Sequence, residues 1–224
     1  RNLVVTNAGA AGPTIGGTAD VVSSGVATID VTENTLGLGD LRIGADCAVS
    51  GASVLTVDRL ILGSGVTFGA GTTPVDVDDT VVNAGTTAIT GSDFDATGAS
   101  PTISVAGGTL SIASLGVPAG ETVNVSGGNT LTIPLLTLAT GTTFGTGTTT
   151  VNVDDLVVSG GTPDIAGSGF TSTGASPTIS CAAGALNITT LNVTTSTAVT
   201  STNQLSVGTL NLGTGVTFDT GAQT

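Results

Sequence analysis

The chain has no histidine, lysine, methionine, tryptophan or tyrosine, and its 224 residues carry three cations, Arg1, Arg42 and Arg59. Each absence removes a class of chemistry. Without His or Lys there is no Ser-His-Asp triad, no Cys-His pair, no phosphate-loop lysine and no His-ligated metal. The net charge is −13 and the pI is near 4.1. The basic footprint that phosphate backbones require is therefore missing, which excludes nucleic acid and basic membrane-surface binding. No apolar run approaches the roughly 18 residues of a membrane span, so no membrane insertion is expected. The lack of Met, position 1 included, points to a mature or trimmed product from which any signal segment has been removed.

Aromatics are also scarce, at 2%, and all five are phenylalanine. A globular core of this length leans on aromatics to fill its wide centre, whereas a narrow solenoid needs only a few aliphatic side chains per coil. Charged residues make up 8% and mean hydropathy is +0.48, which disfavours disorder despite 35 glycines. A Thr-rich surface free of Lys and His suits exported material, so an extracellular or cell-surface location is expected.

What is present is repetition. Phe68, Phe144 and Phe218 recur at one long, nearly constant spacing, and Phe94 and Phe170 recur at the same spacing. DATGASPTISVAGGTLSIASL (95–115) aligns with TSTGASPTISCAAGALNITTL (171–191), and VATIDVTENTLGLGDL (26–41) is a diverged copy. The spacing predicts one β-solenoid over residues 1–224, built from three tandem repeats at about 1–74, 75–150 and 151–224.

A finer period sets the local structure. Pieces of the form ΦxΦxxΦxΦ begin at Leu36, Leu55, Val75, Leu110, Leu131, Val151, Leu186 and Leu205, at short and nearly even intervals broken by two longer ones, Val75 to Leu110 and Val151 to Leu186. Apolar residues at i, i+2, i+5 and i+7 describe two short strands with one face inward, joined by a two-residue corner that resets the phase. This predicts an all-β, elongated parallel β-helix with one coil per roughly 20 residues. Each longer interval holds either a long loop or a weak extra coil, which in the first case would lie around AITGSDF (88–94). Tandem immunoglobulin-like sandwiches are the rival fold, but they expect a core Trp and hairpin register. The predicted core is the apolar set of six pieces, Leu36 to Ile43, Leu55 to Leu62, Leu110 to Val117, Leu131 to Leu138, Leu186 to Val193 and Leu205 to Leu212.

The ends share a phase. Arg1, Asn2, Leu3, Val4 and Val5 match Asp154 to Val158, and TFDTGAQT (217–224) matches TFGTGTTT (143–150). Neither end carries a cap, so each is expected to expose a sheet edge. The assembly residues this implies are Arg1, Asn2, Leu3, Val4, Val5, Asp219, Thr220 and Thr224, in a head-to-tail homopolymer or within a longer repeat protein. Arg1 is expected against acidic or carbonyl groups around Asp219 to Thr224.

Acidic residues cluster at Asp76, Asp78 and Asp79 and at Asp154 and Asp155. Paired carboxylates can serve glycosidases, and such clusters can bridge Ca²⁺; at a strand corner the plain reading is solvated turn aspartates. These five are the candidate Ca²⁺ ligands, and no other cofactor is expected. Adjacent coils should set Asp58 beside Asp78 and Arg59 beside Asp79, with Arg59 pairing to Asp79. Cys47 and Cys181 lie about six coils apart, too far for a disulfide. Cys181 replaces Val105 of the earlier repeat and is expected in the core, and Cys47 is left as a candidate for an intermolecular bond. Sequons at Asn124, Asn187 and Asn192 are candidate glycosylation sites.

The pieces LSIASLGV, LTIPLLTL and LNITTLNV, spaced by whole coils with GG, TG and GN corners, resemble the passenger regions of autotransporter and filamentous-haemagglutinin-type bacterial surface proteins. The resemblance spans nearly the whole chain and is one of pattern. It implies a right-handed parallel β-helix with an exported structural or adhesive role. Polysaccharide lyases and hydrolases share that fold, but the His, Lys and Tyr of their active sites are missing here.

The leading expectation is therefore a non-enzymatic extracellular structural protein stacking end to end into a filament or surface fibre. The alternative is an adhesin stalk that holds a binding tip toward a host or neighbouring cell surface. Ice or surface binding through threonine arrays, and a carbohydrate-active β-helix, rank below both.

Overall fold

A computed structural model describes residues 2–4, 14–21, 27–32, 35–82, 85–200 and 203–221, with 2–4, 14–21 and 81–82 described by backbone alone. Among the described residues, strands follow one another without a helix. The first are β1 (Asn2–Val4), β2 (Thr14–Val21), β3 (Ala27–Asp30), β4 (Leu36–Ile43), β5 (Cys47–Ser50), β6 (Leu55–Leu62), β7 (Thr67–Gly71) and β8 (Val75–Val82). Next come β9 (Thr87–Gly91), β10 (Phe94–Ala96), β11 (Thr102–Val105), β12 (Thr109–Ile112), β13 (Ser114–Val117), β14 (Thr122–Gly127), β15 (Thr130–Leu138) and β16 (Thr143–Gly147). The last are β17 (Thr150–Val158), β18 (Asp164–Gly167), β19 (Phe170–Ser172), β20 (Thr178–Cys181), β21 (Ala185–Val193), β22 (Thr197–Val199), β23 (Gln204–Leu212) and β24 (Phe218–Asp219).

Each ΦxΦxxΦxΦ piece is one strand bent at its middle pair, except Leu110–Val117, which is divided into β12 and β13 at Ala113; β6 alternates buried and more exposed residues, breaks at Asp58 and Arg59, and resumes. All pairing is parallel, between residues one coil apart, and it sorts into three ladders. The first holds β1, β3, β5, β7, β9 and β12, then one half each of β15, β17, β21 and β23, with β19 among them. The second runs through the first halves of β2, β4, β6 and β8, then β10, β13, the second halves of β15 and β17, and β20, β22 and β24. The third takes the second halves of β2, β4, β6 and β8, then β11, β14, β16, β18 and the first halves of β21 and β23. The fold is a parallel β-solenoid, and hairpin sandwiches are excluded.

The longer interval between motif pieces is the extra coil. Phe94–Ala96 and Thr102–Val105 occupy the second and third ladders, and residues 97–101 replace the tight corner between them. Phe170–Ser172 and Thr178–Cys181 are built the same way around residues 173–177. The segment is TGASP in both cases, a Gly-Ala-Ser-Pro turn that continuous strand would not tolerate.

Repeat and turn do not coincide. Phe68 lies in the first ladder, Phe144 in the third and Phe218 in the second. From Phe68 the chain returns to the first ladder at β9, β12 and β15, then crosses the second to reach Phe144 in the third. One repeat is thus three turns and two thirds of a fourth. Equivalent residues therefore land on a different ladder in each repeat. Along the second ladder the outward places read Thr56, Asp76, Asp95, Gly116, Thr137 and Val157, not a file of one residue type.

The core is a stack of aliphatic rows with four buried phenylalanines, Phe68, Phe94, Phe144 and Phe170. Of the predicted core, every residue from Leu36 to Val193 is buried. Burial of each such side chain contributes roughly 1.5–3 kcal/mol. The last piece departs from the expectation: Leu205 and Val207 are half-buried, and Leu210 and Leu212 are 42% and 51% exposed. Their strand pairs with β21 on one side, and among the described residues no strand lies on the other.

Threonine also enters the interior. Thr73 Oγ1 donates to the Gly51 carbonyl at 2.9 Å, and Thr149 Oγ1 donates to that of Gly127 at 2.8 Å, one repeat on. Both are buried, and each bonds a corner carbonyl of the preceding turn. Coils approach most closely at glycine. A Cβ on Gly184, where φ is +85°, would stand 1.6 Å from the Gly161 carbonyl oxygen.

Candidate functional site

The terminal turn carries the most conspicuous surface. In β23, Leu205, Val207, Leu210 and Leu212 lie in register above Leu186, Ile188, Leu191 and Val193. The lower four are sealed, whereas the upper four line an open end together with half-buried Val216 and Phe218. Beside this apolar row runs an edge of β23 on which no described strand lies, a template for another strand. At the opposite end β1 pairs with β3 and β2 with β4, and no described strand lies beyond them.

Of the expected assembly residues, Asn2, Leu3 and Val4 form β1. Arg1, Val5 and Thr224 lie outside the described residues, as does the expected contact of Arg1. Asp219 and Thr220 are exposed, and Asp219 Oδ1 accepts the Gly221 N–H at 2.8 Å.

The acidic corners take ordinary structural roles where their bonds are defined. Asp79 Oδ1 accepts the Thr102 N–H at 3.1 Å, and Asp155 Oδ1 accepts the Thr178 hydroxyl at 2.7 Å. Asp76 and Asp95 stand in register on adjacent turns of the second ladder. Burial, with Asp93 close by, raises the carboxyl of Asp76; burial, with Asp76 and Asp93, raises that of Asp95. Desolvation raises Asp78, with Asp79, Asp58 and Glu121 adding to it, and desolvation then Asp155 raise Asp154. One Asp154 oxygen is sealed without a hydrogen-bond partner, and a Cβ on Gly174 would come within 2.0 Å of it. Among the described residues no three His, Cys, Asp or Glu side chains are gathered in a way that could hold a metal ion. Of the five candidate Ca²⁺ ligands, Asp78 and Asp79 share the corner of β8, Asp154 and Asp155 share that of β17, and Asp76 lies in the first half of β8.

Arg59 stands in register between Asp40 and Asp79, as the spacing predicted for Asp79. Its ion pair, however, is to Asp40, Nη2 to Oδ2 at 2.6 Å. Asp79 directs an oxygen to Thr102, which leaves Asp40 as the partner. Both cysteines are buried. Burial pushes the Cys47 thiol up to about 11, which keeps it protonated and unreactive, contrary to its expected availability between chains. Among the sequons, Asn124 is exposed on β14. Asn187 Nδ2 donates to Asp164 at 2.8 Å. Asn192 Nδ2 donates to the Ser168 and Phe170 carbonyls, and its Oδ1 accepts from Asn211. That engaged amide is a poor acceptor for a glycan.

No family model, curated protein or solved structure matches this chain. Function rests on the residues themselves. The end surface was legible in the repeat phase; the exposure of Leu210 and Leu212 was not, because the motif alone marks them as core.

Proposed function

We propose that this chain is a non-enzymatic structural β-solenoid that stacks end to end, outside the cell, into a filament or surface fibre. The observation that carries the reading is the terminal turn, where Leu210 and Leu212 are exposed beside a strand edge on which no described strand lies. A head-to-tail contact between different surfaces grows into an open fibre when its rotation does not close a ring, as in coaxial stacking of one solenoid upon another. The charge of −13 also fits, since it repels phosphate-bearing partners.

A second reading, a stalk within a larger cell-surface protein, is favoured by the same turn, which a further coil of one continuous polypeptide would cover equally well. Light scattering and negative-stain imaging over a concentration series separate them. Filaments should appear above a critical concentration, and Leu210→Glu should raise that concentration at least about tenfold, since burying one leucine is worth on the order of 1.5–3 kcal/mol. Monomers at every concentration would sink the filament reading and leave the stalk.

A further inference from the structure

Resting on the end-to-end reading above, we propose that the occupant of the terminal turn is a second copy of this chain, joined in continued repeat register: β1 and β2 of one copy pair in parallel with β23 and β24 of the other, Leu3 over Leu210 and Ile15 over Phe218.

Inside the chain, Phe68 is followed in register by Ile89, and Phe144 by Ile165. Each isoleucine is followed one turn later by another, Ile112 or Ile188. Phe218 occupies the equivalent place, in the register row after Thr197 as Phe144 is in the row after Val123. Among the described residues no strand follows it. Ile15 occupies the isoleucine place, since it pairs one turn on with Leu38, and no described strand precedes it. One end therefore presents the phenylalanine place without its isoleucine, and the other the isoleucine place without its phenylalanine.

The neighbouring ladder agrees. Asn2 and Leu3 pair with Thr28 and Ile29 as Asp155 and Leu156 pair with Thr178 and Ile179. The residue beneath Leu156 is Leu136, whose repeat equivalent is exposed Leu210. Three repeats of three and two-thirds turns make eleven whole turns, so a second copy arrives with each ladder upon its own kind. Two or four repeats would arrive rotated onto the wrong ladder.

The test is a chain carrying Asn2→Cys and Thr209→Cys. The two positions are separated along one solenoid by about ten turns of about 4.8 Å, so a disulfide between them must join two chains. Oxidation during assembly should give a ladder of oligomers on a gel run without thiol, collapsing to monomer with thiol, with positions 2 and 209 joined in the mapped peptides. Filaments that cross-link instead through Asn2→Cys paired with Asp219→Cys would overturn the register while leaving end-to-end stacking intact. Failure of the unsubstituted chain to assemble would overturn both.

Discussion

Asp95 shows how single residues respond to stacking. Its carboxylate stands in register beside Asp76, and burial together with Asp76 and Asp93 raises its protonation range. The same direction holds for Asp76, Asp78 and Asp154. A carboxyl whose folded value is raised keeps its proton longer in the native state, so its stabilisation is complete below the ordinary carboxylate range and is lost as pH rises through the folded value. The melting temperature should therefore fall as pH rises above the ordinary carboxylate range, near about 4. Asp95→Asn should flatten that slope and stabilise the chain at pH 7.5 by about 0.2–1 kcal/mol, the scale of like charges opposed across strands. A melting temperature that climbs with pH would contradict this. Gly184 is the steric counterpart. Gly184→Ala should cost about 2–5 kcal/mol through its positive φ and its collision with Gly161, whereas Gly128→Ala, with nothing near its Cβ, should cost little. Thermal melts of the two variants check this, and equal losses would refute the close-approach explanation.

At the scale of strands, much of the fold was legible because each ΦxΦxxΦxΦ piece states both its inward face and its corner. Leu55, Val57, Leu60 and Leu62 are buried as the period demands. The interval around Phe94 was ambiguous in sequence because TGASP separates its two half-strands and hides the motif. Buried threonines such as Thr149 were missed for a different reason. A threonine fits either side of a strand, and its carbonyl partner, Gly127, is a turn away. Arg59 illustrates the same limit: its two carboxylate neighbours are equidistant in register, and a backbone N–H on a third strand decides between them.

At the scale of the whole molecule, the repeat length was plain but the rotation was not. Whether one repeat makes three turns or three and two thirds depends on how corners and loops distribute among the ladders, which no local pattern states. That rotation sends equivalent residues, threonines among them, to different ladders. It also makes three repeats the smallest set that returns to its starting ladder. The most direct measurement is helical reconstruction of filaments from cryo-electron micrographs. Eleven turns at about 4.8 Å predict an axial rise of about 53 Å per subunit, with the strand spacing of about 4.8 Å continuous through the junction. A rise well away from that value, or a break in the strand spacing between subunits, would contradict end-to-end stacking in repeat register.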